Sequence, residues 1–301
     1  FLPGSEEIDL LIRLFQEEVD KYHASQYYQS SKKGGGGGAG SGVDKSLDTL
    51  YILPLYSTLP QYLQVKVFES TPYHMRKVIV ATNIAESSIT IENVKYVIDS
   101  GFVKLNFFDV TSGVESLITC PVTKSNAMQR SGRAGRSQAG KCYRLMTEIA
   151  YDALQDHPLV EMQRSDLSFM ILQLKSLGIK DLLHFDFLSP PSSALMIYAL
   201  ELLYNLQAIN EKGDITLLGL QMAEMPIEPK LSKCLIASLD YGCTEEMLSI
   251  IAMLLVEYPF HQMKHTNTNT MNEQKTERMK KLEKDIEQYC MIGSDHLTLL
   301  N

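Results

Sequence analysis

Three short runs constrain the fold of this chain more than any other feature: LYILPL at 50–55, KVIVA at 77–81 and VKYVID at 94–99. Each is rich in β-branched residues and apolar at most positions. A strand with one wet face alternates apolar and polar residues, whereas a strand that stays apolar has both faces covered. Strands of that kind belong to parallel sheets, and parallel neighbours need crossover connections. The stretch 60–70 (PQYLQVKVFES) between the first two fits a connecting helix. The fold class is therefore α/β, built on a parallel sheet. Val103–Phe108 and Glu115–Cys120 flank Asp109-Val110-Thr111-Ser112-Gly113, a β-hairpin with a polar, glycine-bearing turn, and 141–145 (KCYRL) is one more short strand.

Around these strands the texture is helical. Residues 5–24 suit an amphipathic helix that Ser5 can cap, with Ile8, Leu11, Ile12, Phe15 and Val19 as its apolar stripe. From about residue 148 helices dominate: 166–177, 193–206 with Leu195, Ala199, Leu202 and Leu206 on one face, an almost wholly apolar and hence buried helix at 244–256, and a charged helix at 273–290. A turn at Gly213–Ile215 and the run to Pro226 suggest a small wing, and 261–272 reads as a loop. The chain opens and stops in mid-pattern, which suggests a piece of something longer.

With 301 residues and 45% hydrophobic content the prior is two or so domains. The net charge of −8 argues against a protein coated everywhere by nucleic acid. It leaves room for a local basic channel, because binding follows the local field. The cysteine count of five is odd and no pair has C-x-x-C spacing, so a reduced intracellular compartment without structural zinc is expected. No apolar run approaches the roughly 18 residues that span a bilayer. The stretch SSKKGGGGGAGSG at 30–42 invites comparison with a phosphate loop. It lacks the Gly-Lys-Ser/Thr ending, and a flexible insertion near 30–46 is the better reading.

Two segments carry chemistry. In MQRSGRAGRS, residues 128–137, Arg130, Arg133 and Arg136 recur every third residue, with Gly132 and Gly135 between them. Arginine keeps its proton, and its planar fork matches phosphate oxygens. Two forks at i and i+3 can meet one polyphosphate, and Gln129 adds an amide able to orient a water. The plainer reading is a solvated basic loop. In ATNIAESSITI, residues 81–91, a Thr-Asn pair follows an apolar strand directly, where α/β sheets place ligands. Its hydroxyls and amide suit a sugar–phosphate backbone. Taken alone, it reads more simply as a capped short helix, with Thr82 or Asn83 as cap and Glu86 completing a capping box.

FLPGSEEID, PLYSTLP, ATNIAESSITI and QRSGRAGR occur in this order. Together they closely resemble motifs IV, IVa, V and VI of the DEAH-box RNA helicases of superfamily 2, in the second of that family's two RecA-like domains. RSDLSFMILQLKSLGI and HFDFLSPP resemble its winged-helix domain. MPIEPKLSKCL, CTEEMLSIIAML and DHLTLLN resemble the start of its helical ratchet. The resemblance spans nearly the whole chain apart from 21–46 and 261–291, and implies three domains at 1–147, 148–222 and 223–301.

It also implies roles. ATP and Mg2+ would be held mainly by a first RecA-like domain, whose Gly-x-x-x-x-Gly-Lys-Ser/Thr and Asp-Glu-x-His motifs do not occur in these 301 residues. Arg133 and Arg136 would be arginine fingers on the γ-phosphate, and Gln129 would help place the attacking water. Phe68 falls where the family stacks a phenylalanine on adenine, with a core-facing position as the equal alternative. Glu92 stands where many members have an aspartate near the ribose, which puts that contact in doubt. RNA would be gripped through its backbone by Gly4, Ser57, Thr82 and Asn83, with the hairpin tip at Thr111–Gly113 near bases. The chain alone would hydrolyse no ATP. A monomeric nuclear RNA helicase of the mRNA-splicing branch follows, with spliceosomal proteins as partners and a glycine-patch activator docking on apolar faces around 166–206. The competing reading is a non-enzymatic RNA- or protein-binding module derived from a helicase. A DNA helicase is a weaker third.

Overall fold

The computed structural model describes residues 1–32, 49–87, 89–136, 139–256, 284 and 287–300. The glycine-rich stretch from 33, the loop at 261–272 and most of the expected helix at 273–290 lie outside the described residues. The backbone forms two compact units, Phe1–Ser165 and Asp166–Asn301. Residues 148–165 therefore pack with the first unit, beyond the change of texture at 147.

The first unit opens with helix α1 (Ser5–Lys32), eight residues longer than the sequence pattern suggests. Ile8 is fully buried, and Leu11 and Ile12 pack beside it, as the stripe requires. Strands β1 (Thr49–Leu55) and β2 (Met75–Ala81) pair in parallel, Leu55 opposite Ala81. Both faces of this pair are covered. Leu53, Leu55 and Ala81 pack on one side with Val67, while Ile52 and Val80 pack on the other with Ile8, Tyr56 and Leu59. Two covered faces are the reason these strands carry no polar alternation. The crossover helix α2 is only Gln61–Val65. The rest of the connection stays in turns, tied from below by Lys77 Nζ, which donates to the carbonyls of Val67 at 2.5 Å and Glu69 at 2.6 Å.

Strand β3 (Tyr96–Asp99) pairs in parallel with β6 (Lys141–Arg144), and β4 (Phe102–Asp109) with β5 (Val114–Pro121) forms the expected hairpin. Helix α3 (Lys124–Gly132) is capped by Thr123, whose Oγ1 accepts the Asn126 N–H, and α4 (Glu148–Asp152) by Thr147. Phe1 and Leu2 bridge the parallel pairs: Leu2 N–H donates to the Ala81 carbonyl at 2.9 Å, and Ser100 N–H to that of Phe1 at 3.4 Å.

In the second unit come α5 (Ser168–Ser176), α6 (Ser193–Asn205), α7 (Leu217–Ala223), α8 (Pro229–Tyr241), α9 (Thr244–Leu255) and α10 (Asp295–Leu300). The buried stripe of α6 is Leu195, Met196, Ala199 and Leu203, so it turns by one residue from Leu202 at its end. The wing shrinks to one antiparallel bridge, Ile209 to Ile215, around a turn at Gly213. The run beyond is helical, because Thr216 Oγ1 accepts the Gly219 N–H at 3.0 Å and caps α7. Helix α9 overturns its expectation: only Ile251 is buried, and Leu248 is 55% exposed. Its contacts with α8 and α10 reach one stripe, so an apolar composition does not translate into burial all round. Among the described residues no helix is long and apolar enough to cross a membrane.

The hairpin tip is locked by one carboxylate. Asp109 accepts from Thr111 Oγ1 at 2.7 and 2.8 Å, from the Thr111 N–H at 3.0 Å and from Ser112 Oγ at 2.8 Å. These donors favour the charged form and pull the Asp109 pKa down from 3.8 to about 2. Because the folded value is the lower one, the contribution to tip order is complete above 3.8 and lost as pH falls through about 2. An NMR titration of the Asp109 carboxyl should show a midpoint near 2, and Thr111→Val should move it up toward 3.8.

Candidate functional site

The parallel pairing of β1 and β2 brings their carboxyl ends side by side, and the sequence-derived backbone grip assembles there. Ser57 follows β1, Thr82 and Asn83 follow β2, and Thr82 N–H donates to the Leu55 carbonyl at 3.1 Å. Gly4 reaches the same end because Leu2 is bonded to Ala81. Ser57 and Asn83 are exposed, whereas Thr82 is nearly buried. Gly4 is also buried, and a Cβ there would lie 2.6 Å from both Glu7 Oε2 and Lys104 Nζ. The close approach it permits is thus that of the Glu7–Lys104 ion pair, at 3.2 Å.

The capped-helix reading of 81–91 does not hold. Asn83–Ala85 is a single 3-10 turn, and Thr82 makes no side-chain cap bond. Glu86, the supposed capping-box partner, turns inward and is buried. Its Oε1 accepts from Asn126 Nδ2 and its Oε2 from Arg130 Nε at 3.0 Å.

The three evenly spaced arginines have three different environments. Arg130, in the last turn of α3, is fully buried. Its Nη1 donates to Asp99 Oδ1 at 2.7 Å and to the Phe102 carbonyl at 3.1 Å, and its guanidinium lies 5.1 Å from the centre of the Phe1 ring. Arg133 caps the helix, so it and Arg136 stand on successive tight turns beyond α3 rather than on one regular helical turn. Arg133 Nη1 donates to the Ile89 carbonyl at 2.8 Å and Nη2 to that of Glu86. Burial and the neighbouring Arg136 charge push the Arg133 pKa down, yet a guanidinium stays protonated at neutral pH. Arg136 is exposed and reaches Thr90 Oγ1. The forks of Arg133 and Arg136 therefore both rest on the segment that starts at Thr82. A Cβ on Gly132 would meet nothing within 4 Å, so the backbone just before Arg133 is open on that side. Gly140, just beyond the segment, is closely packed, and a Cβ there would lie 2.3 Å from the Ala134 carbonyl oxygen.

Gln129 is exposed on α3 beside its buried neighbour Arg130. Phe68 is 54% exposed, so the core-facing reading of that residue fails; Val67 fills the core position instead. Glu92 is exposed in a turn before β3. Among the described residues neither Phe68 nor Glu92 bonds to the arginines. Sequence reasoning missed Arg130 and Asn126 as partners of Glu86, and Asp99 as the second carboxylate on Arg130. The one available hint was the extra arginine beside Gln129, since spacing alone does not say which fork turns inward. The arrangement offers two cationic forks and an exposed amide, next to hydroxyl and amide groups at a sheet's carboxyl end. That combination suits a polyphosphate on one side and a nucleic-acid backbone on the other.

Comparisons with known proteins bear on the family and the fold. Residues 9–138 match the helicase conserved C-terminal domain, 199–227 the winged-helix part of the helicase associated domain HA2, and 228–299 its ratchet-like part. The chain is 45% identical over 302 aligned residues to the pre-mRNA-splicing factor ATP-dependent RNA helicase prp22 of Schizosaccharomyces pombe. That match covers all of this chain and 23% of the relative, so the chain spans about a quarter of its length. The crystal structure of the E. coli DExH-box NTPase HrpB superposes with a TM-score of 0.67 at 28% identity, over 94% of this chain and 32% of that one.

Proposed function

The chain belongs to the DEAH-box helicase family, and on that premise we propose that it supplies the arginine fingers and an RNA-backbone grip to an ATP-dependent RNA helicase. The observation that carries the reading is the seating of Arg133 and Arg136 on the 86–90 segment, a few residues from Thr82 and Asn83. Finger and grip share one short stretch of backbone. The fingers would stabilise charge spreading over the γ-phosphate, and Gln129 would orient the attacking water. Mg2+ would neutralise phosphate charge from a site built by another domain. RNA would be held through phosphates and sugars by Ser57, Thr82 and Asn83, with Gly4 shaping the floor beneath, so binding would weaken steeply with salt.

The exposed ring of Phe68 fits an adenine-stacking role. Base–aromatic stacking is worth about 1–3 kcal/mol, so in a helicase containing this chain Phe68→Ala should raise the KM for ATP about tenfold. Its kcat should hardly change, and Phe68→Tyr should behave as wild type. Glu92 stands beside the ribose in this reading, a position that an exposed carboxylate can serve by accepting from a hydroxyl.

The family membership and the splicing relative support a nuclear, monomeric motor that remodels RNA in pre-mRNA splicing with spliceosomal partners. We assign the winged helix to 148–222, of which 148–165 pack with the first unit, and the ratchet to 223–301. A glycine-patch activator would dock on the second unit, where Leu177, Leu188 and Ile197 are exposed. RNA-stimulated ATP hydrolysis by a helicase containing this chain, with and without Arg133→Ala, tests the reading. An inert helicase, or a variant that loses RNA binding alone, would favour a non-enzymatic binding module.

A further inference from the structure

We propose that Arg130 is a positioning residue that couples RNA occupancy to the arginine fingers, an inference that rests on the function above. Arg130 touches neither ligand in that reading. It is 0% exposed, and so is Asp99, while Glu86 is 5% exposed. Its one guanidinium joins three elements: Glu86 on the grip segment, Asp99 at the end of β3 and the Phe102 carbonyl at the start of β4. Asp99 is anchored in turn by the Gly101 N–H at 3.0 Å. Asn126, one turn earlier on the same helix, holds the other oxygen of Glu86.

Glu86 is thus gripped twice by α3 through its side chain, while its carbonyl accepts from Arg133. A displacement of Thr82 and Asn83 reaches Glu86 through only the 83–85 turn. From Glu86 it passes into α3 through buried, charge-assisted bonds, which are short and directional in a low-dielectric setting. Arg133 and Arg136 lie on the turns that continue α3. The sheet end fixed by Asp99 supplies the stationary frame against which this lever works. A flexible or solvated contact would absorb such a displacement instead of passing it on.

The charge inventory favours a positioning role over simple stabilisation. Two carboxylates share one guanidinium, and among the described residues Asp99 Oδ2 and Arg130 Nη2 have no hydrogen-bond partner. An apolar cluster of the same volume would serve stability as well or better, so geometry is the more economical reason for the trio.

The test uses a full-length helicase containing this chain, and reads the ratio of ATP hydrolysis with saturating RNA to hydrolysis without it. That ratio does not depend on how much enzyme is folded, so a purely structural role would leave it unmoved. Arg130→Lys keeps the charge but replaces the fork by a single point. Glu86→Gln keeps the shape but leaves one neutral acceptor oxygen, so one bond is weakened and the other lost. Each variant should lower the stimulation ratio about tenfold, with the KM for ATP within about twofold of wild type. The double variant should be no worse than the worse single one, because both act through one contact. Wild-type ratios in both variants, alongside lowered melting temperatures, would overturn the proposal and leave the trio as a structural pin. If the wild-type helicase shows no RNA stimulation at all, the functional reading fails rather than the coupling.

Discussion

Arg133→Ala in a helicase containing this chain should cut kcat for RNA-stimulated ATP hydrolysis on the order of a thousandfold, the usual worth of an arginine finger. The argument runs through charge and access. A guanidinium beside the γ-phosphate acts on charge that develops in the transition state, so its removal falls on kcat more than on KM. Arg133 is half-buried, with its fork held by the carbonyls of Ile89 and Glu86. Two carbonyls are neutral acceptors, and exchanging them for phosphate oxygens strengthens the bonds. Arg136, exposed and held through the Thr90 hydroxyl, should show the same direction of effect. RNA affinity should change little in either variant. A loss of RNA binding with unchanged turnover would instead make this segment a nucleic-acid grip. The 301-residue chain alone should hydrolyse no ATP in the same assay.

Arg130→Met should be the most destabilising single substitution in the first unit, at about 3–5 kcal/mol. The arginine is fully buried, and its removal strands Glu86 and Asp99 as uncompensated carboxylates in the interior. For a unit of this size that corresponds to a fall in melting temperature on the order of 10 °C, measurable by circular dichroism on the chain. The comparison that isolates the cause is Glu86→Gln, Asp99→Asn and Arg130→Met together. With no charge left behind, the triple variant should recover much of the loss. A triple variant as unstable as the single one would mean that shape, not stranded charge, sets the cost.

The contrast between Arg130 and Arg133 shows where sequence reading stops. Both lie in one evenly spaced series, and the spacing makes them look equivalent. One is an internal pin and the other a half-buried fork held by two backbone carbonyls. The same limit appears in α9, whose apolar sequence meets cover along one stripe only. It appears again at Gly4, whose missing side chain makes room for the part-exposed Glu7–Lys104 ion pair.

Local periodicity determined the α/β class, the strands, the hairpin and three helices of the second unit, and the order of motifs along the chain carried the family resemblance. Those features are legible because they depend on residues a few positions apart, where backbone geometry converts spacing directly into a face or a turn. Tertiary structure alone decided that Glu86 turns inward, that Asp99 and Asn126 join it, and that Phe68 faces solvent. The partners of Arg130 lie 44 and 31 residues away along the chain. Only the pairing of separate strands brings such residues together, because hydrogen bonds and ion pairs act over a few ångströms of space and carry no trace in local sequence.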